Sequence, residues 1–153
     1  MTLDNRKITK ELTNKIKTTS IKNSVASLSA CTLCPRNCKA DRNSGKTGFC
    51  GVDSTIYLAR AALHMWEEPC ISGKKGSGAV FFSGCGLRCC FCQNHDIAIG
   101  SRGLPVTVER LSEIFLELKE KGAANINLVT GTHYVPQIIQ LLTWPERKGW
   151  ICR

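Results

Sequence analysis

Apolar residues in the first part of the chain fall at helical intervals. Ile8, Leu12, Ile16, Ile21, Val25 and Leu28 recur every three to five positions, which predicts a helix over 5–28 that buries one stripe. Residues 31–54 break the periodicity with Gly, Pro, Asn, Asp and Ser, and read as loop. The apolar run 56–64 suits either a strand or a short helix, and 72–78 reads as a turn or linker. A short buried strand is expected at 79–83, running straight into Gly84 and Cys85. Thr107 is placed to cap a helix over 108–121, in which Val108, Leu111, Ile114, Phe115 and Leu118 share a face and Gly122 ends the pattern. A second strand over 125–130 and a helix over 135–142 follow. Strand, loop, helix, strand, helix is a βαβα order. It predicts an α/β fold with two parallel strands and a right-handed crossover. Thr143-Trp144-Pro145 interrupts the last helix, and the chain stops at Ile151-Cys152-Arg153, where a third strand is expected to begin. Two parallel strands make an incomplete layer, so the chain reads as truncated.

Composition changes little in this picture except at cysteine. With 153 residues, 42% hydrophobic and 22% charged, the chain is of ordinary globular type. No apolar run approaches the roughly 18 residues of a membrane span. The polar, lysine-rich start has no apolar signal-peptide core, and Asp4 and Glu11 argue against a transit peptide, so the expected compartment is cytoplasmic. The net charge of +9 raises the question of nucleic acid. The basic residues are scattered, however, and residues 1–30 hold six of them without one aromatic residue. The reading is a solvated basic face, with no nucleic-acid partner and no membrane.

Ten cysteines in such a chain point to metal rather than to disulfides. Cys85, Cys89 and Cys92 stand at Cys-x3-Cys-x2-Cys spacing on one short loop. Three thiolates there can hold three corners of an iron–sulfur cubane and leave the fourth iron open. Cys90, adjacent to Cys89, is expected to be a small buried hydrophobe. A three-cysteine zinc site completed by His95 is the plainer alternative. Cys31, Cys34, Cys38 and Cys50 form another group of four ligands, with Gly45, Gly48 and Gly51 letting the loop fold back. Its spacing suits structural zinc or an auxiliary iron–sulfur cluster.

The run Cys85-Gly-Leu-Arg-Cys89-Cys90-Phe91-Cys92 resembles the signature of the radical S-adenosylmethionine (SAM) superfamily, with Phe91 in its aromatic slot. The likeness extends to Glu67-Glu68-Pro69, Ile71-Ser72-Gly73, Ser77-Gly78, Phe81-Phe82-Ser83-Gly84, Cys92-Gln93-Asn94, the run 122–130 and Thr132-His133-Tyr134-Val135-Pro136. Over roughly 31–142 these resemble proteins similar to the pyruvate formate-lyase activating enzyme. Cys70 and Gly131 depart from the pattern, each standing where proline is expected. The resemblance implies a 4Fe–4S cluster on Cys85, Cys89 and Cys92, with SAM on the open iron and reductive cleavage to a 5′-deoxyadenosyl radical. It also implies Phe91 near the adenine, and Thr132 and His133 as candidate SAM contacts. A low-potential donor of flavodoxin or ferredoxin type is the implied partner, together with a protein substrate. The implied organisation is an N-terminal helix and four-cysteine region over 1–76, then the first βα units of a truncated partial (β/α) barrel over 77–153. Two strands supply only part of a cavity wall, so this length of chain is expected to show little turnover. A zinc-binding module without catalysis, and an inactive fragment of the enzyme, are the competing expectations.

Overall fold

The computed structural model describes residues 28–143. The expected helix over 5–28, except for the buried Leu28, and the expected third strand near 151–153 lie outside the described residues.

The core of the fold is a four-stranded sheet. Strands β1 (Ile56–His64), β2 (Ser77–Phe82), β3 (Leu104–Val106) and β4 (Ile126–Val129) lie in the order β3-β1-β2-β4. Helices α1 (Pro69–Ser72), α2 (His95–Ala98), α3 (Val108–Glu120) and α4 (Val135–Leu142) alternate with them. Single 3-10 turns stand at Arg42–Ser44 and Gly131–Tyr134. β2 and β4 are parallel, as the βαβ order requires, while β1 is antiparallel to both β2 and β3. The sheet is therefore mixed and open, and no barrel closes among the described residues.

Local chemistry accounts for the elements. β2 is buried along almost its whole length because strands flank it on both edges and α3 covers one face. Leu111, Ile114, Phe115 and Leu118 form the inward stripe of α3, which meets Val80, Phe82, Tyr134, Ile138 and Leu141 in one core. The Thr107 side chain accepts the Arg110 N–H at 3.1 Å, the capping bond expected of a threonine before a helix. Gly78 is a glycine of necessity. A Cβ there would stand 2.8 Å from Ile126 Cδ1 and 3.2 Å from Leu118 Cβ, so β2 and β4 could not approach as they do.

The ambiguous run 56–64 is a strand. The segment 72–78 holds the end of α1 and the first residues of β2, which starts before the expected position 79. Sequence pattern missed β3, because it has three residues and one of them is proline. Pro105 pairs with Tyr57 on an edge strand, where a missing N–H removes no inner ladder bond.

Candidate metal-binding loops and cleft

Since β2 and β4 are parallel, their C-terminal ends reach the same edge of the sheet. Ser83-Gly84-Cys85 leaves one end, and Thr130-Gly131-Thr132-His133 leaves the other. The cysteine-rich segment 31–54 packs onto the same edge. Cys85 N–H donates to Cys50 O at 3.1 Å, and Ser83 N–H donates to Tyr57 O at 2.8 Å. Gly84 makes this approach feasible. Its φ is +85°, and a Cβ there would stand 2.7 Å from Cys50 O. The two cysteine loops are thus in direct backbone contact.

Side chains tighten the junction. Arg36 donates from Nε to Gly86 O at 2.9 Å and from Nη2 to Leu87 O at 3.3 Å. Its guanidinium lies 4.2 Å from the Phe49 ring centre, and that of Arg88 lies 4.9 Å from it. Phe49 therefore takes a cation from each loop through the ring quadrupole. Arg42 forms the inner anchor. It is fully buried, donates from Nε and Nη2 to Asp53 O at 3.1 and 2.5 Å, and donates from Nη1 to His133 O at 2.7 Å. Its Nη1 also lies 3.9 Å from Cys31 Sγ. Sequence reading passed over Arg36, Arg42, Phe49 and Arg88, because in a loop segment nothing distinguishes a buried arginine from a solvated one.

Within the first loop, reciprocal bonds Cys31 N–H to Ala40 O and Lys39 N–H to Cys31 O, each 3.0 Å, fold the chain back on itself. Cys31 and Cys50 are buried, Cys34 is half-buried and Cys38 is exposed. Backbone N–H groups of Ala40 and Phe49 hold the Cys38 thiol below its ordinary range, while burial pushes the Cys50 thiol up. In the second loop, Cys85 Sγ accepts the Leu87 N–H at 3.4 Å, and a turn closes from Cys92 N–H to Cys89 O at 3.3 Å. Cys85 and Cys92 are half-buried and Cys89 is exposed. Cys90 is exposed too, which corrects the expectation of a buried hydrophobe. The loop tip projects away from the sheet, so neighbouring positions 89, 90 and 91 all face solvent, and Phe91 is 87% exposed.

A cleft of about 430 Å³ lies where the two loops meet the strand ends. Cys34, Cys85, Gly86 and Leu87 line one side, and Thr130, Thr132 and His133 line the other. The structure therefore brings together Cys85, Thr132 and His133, with Cys34 beside them. Cys89, Phe91 and Cys92 do not line this cleft, and neither does His95, which sits in a separate groove with Arg60, Gln93 and Arg102. Thr130 closes β4 at φ +57°, a left-handed conformation that a β-branched residue rarely takes. Its hydroxyl donates to Phe82 O at 2.9 Å, tying it to the neighbouring strand end. Among the described residues, no three His, Cys, Asp or Glu side chains stand as a ready-formed metal site. The donors present are nonetheless thiols on two tight loops, the set that soft metals and iron–sulfur clusters take.

His133 is 4% exposed and has its Nε2 2.9 Å from Ser83 O. A carbonyl only accepts, so this nitrogen carries the proton and donates. Burial, with Arg42 adding repulsion, lowers the imidazole pKa to about 4. The unfolded chain then binds more protons than the folded one between about pH 6.5 and pH 4. Stability from this group is complete above pH 6.5 and is lost as the pH falls, by up to about 3 kcal/mol at pH 4. Urea unfolding at pH 7 and pH 4.5 is expected to show that loss in the native chain and a smaller one in His133→Gln, whose amide also donates. Equal losses would remove His133 as the cause.

Among the described residues, no helix is long and apolar enough to cross a membrane. No family model matches the chain, and no solved structure matches it. A protein of Methanocaldococcus jannaschii, described as uncharacterized, is 28% identical over 127 residues. The match takes in 77% of this chain and 36% of that protein, so the chain spans about a third of the length of this curated relative.

Proposed function

We propose that the chain is part of a radical SAM enzyme. In this reading the second loop holds a 4Fe–4S cluster on Cys85, Cys89 and Cys92, and the sheet is the start of a partial (β/α) barrel. The observation that carries the reading is the place of the Cys-x3-Cys-x-Phe-Cys loop. It springs from the C-terminal end of β2, at the edge where parallel strands gather active sites. The adjoining cleft, at about 430 Å³, is of a size for a nucleoside-containing ligand. Bound on this loop, the cluster would supply one electron to the SAM sulfonium, giving methionine and a 5′-deoxyadenosyl radical.

The chain's own residues have simpler tasks. Cys85 anchors the loop at the cleft, where the Leu87 N–H supports its sulfur. Thr132 is exposed on the opposite side, free to hydrogen-bond an amino acid head group. His133 is neutral and already committed to Ser83 O, so it shapes the cleft wall and does not move protons. The substrate class implied by the family resemblance is a protein glycine, from which a hydrogen atom is taken.

The test is anaerobic reconstitution of the chain with iron and sulfide, reduction, and electron paramagnetic resonance with and without SAM. The reading expects a reduced-cluster signal that changes when SAM binds the open iron. A second loop that takes zinc in preference to iron, or a cluster signal indifferent to SAM, would replace this reading with that of a metal-binding module.

A further inference from the structure

We infer that Cys31, Cys38 and Cys50 form a three-thiolate site for a thiophilic metal centre balanced by Arg42, while Cys34 is a thiol of the cleft wall. This divides a group of four that sequence spacing treats as one. It concerns the first loop alone and stands whether or not the second loop holds a cluster.

The geometry separates Cys34 from the others. A Cβ at Gly48 would stand 3.3 Å from Cys38 Sγ and 3.4 Å from Cys50 Sγ, so both sulfurs face the space that this glycine leaves empty. Cys31 Sγ lies 3.9 Å from Arg42 Nη1, and Arg42 Cδ would stand 3.7 Å from the same Cβ at Gly48, so Cys31 adjoins that space through Arg42. Cys34 Sγ points elsewhere, 3.5 Å from where a Cβ on Gly86 would be, and it lines the cleft with Cys85. The three thiols are neighbours and not yet a closed tripod. Cys38 is the exposed member of the three, flanked by Asn37 and Lys39 in the left-handed region.

Charge gives the second, independent argument. Arg42 is fully buried, and among the described residues no carboxylate lies within ion-pair distance of it. Its acceptors are two backbone carbonyls and the sulfur of Cys31. A buried cation without an anion is costly. Three thiolates on a divalent cation leave one net negative charge, which the guanidinium cancels, whereas four would leave two. A fourth coordination position is then left for a water or another small donor.

The probe is zinc, added anaerobically to the full chain carrying Cys85→Ala, Cys89→Ala and Cys92→Ala, so that only the first loop is read. In competition with a chromophoric chelator, Cys31→Ala, Cys38→Ala and Cys50→Ala are each expected to lower zinc affinity by more than about 100-fold, beyond the effect of losing a supporting contact. Cys34→Ala is expected to stay within about threefold. Iron with sulfide is a parallel arm, and the same pattern with iron would identify the centre as a cluster. Alkylation by iodoacetamide tests the assignment without any substitution in the first loop. In the zinc-loaded chain, Cys34 is expected to react while the other three are protected. A loss of affinity in Cys34→Ala equal to the rest, or equal protection of Cys34, would restore the four-thiol site and overturn the inference.

Discussion

Alanine at Cys85, Cys89 or Cys92 is expected to remove nearly all the iron taken up by the second loop, and alanine at Cys90 to leave it in place. A cubane held at three corners cannot lose one without exposing a second iron to solvent and exchange, so the effect of each change approaches complete loss. Cys90 differs in kind. It is as exposed as Cys89, so access alone does not set it apart. What does is its place in the turn. The Cys92 N–H to Cys89 O bond sets Cys89 and Cys92 as the two ends of one tight bend, with Cys90 and Phe91 at its apex. Two thiols at the ends of a bend can share a cluster with Cys85, and an apical one is carried away from them. Iron and sulfide analysis of the four variants, in chains whose first-loop cysteines are also replaced, reads this directly. Iron loss in Cys90→Ala matching that in Cys89→Ala would sink the ligand assignment.

Much of the scaffold was legible in the sequence because it depends on local periodicity. Thr107 and the Leu111–Leu118 stripe announce α3, and Val135–Leu142 lies where the pattern puts it. The run 79–83 is recognisable as a strand because it is apolar and ends at glycine. What local pattern could not supply was pairing. β3 is three residues with a proline, visible only through its partner Tyr57. The antiparallel placing of β1 beside β2 depends on contacts between segments, not on either segment's composition.

The site divides in the same way. Cysteine spacing nominated both loops, and family resemblance pointed to Thr132 and His133, but neither said that the loops touch. Cys85 N–H bonds Cys50 O across 35 positions of sequence because Gly84 has no side chain. The exposure of Cys90 and Phe91 was equally hidden, since burial of a loop residue depends on what packs beside it. Arg42 is the clearest case. In sequence it is one basic residue of a polar loop, while in the fold it is the largest fully buried side chain among the described residues.

Arg42 consequently carries the largest stability effect expected of a residue outside the cysteine groups. Its guanidinium joins three parts of the chain: the first loop through Cys31, the approach to β1 through Asp53 O, and the turn after β4 through His133 O, 91 positions away. Methionine at this position keeps much of the volume but leaves the buried His133 O and the half-buried Asp53 O without these donors. A stranded acceptor costs about 1–3 kcal/mol, and the change strands two of them, Asp53 O and His133 O. Arg42→Met is therefore expected to lose roughly 2–5 kcal/mol, a large fraction of the stability of an ordinary domain. Lysine should recover only part of this, because one ammonium cannot match the planar fork that serves Asp53 O and His133 O together. Urea unfolding of the native chain, Arg42→Lys and Arg42→Met at pH 7 gives the order directly. The expected ranking is native, then lysine, then methionine. A methionine variant within about 1 kcal/mol of native would mean that the carbonyls find other donors. The loop junction would then rest on the Arg36 and Phe49 contacts instead.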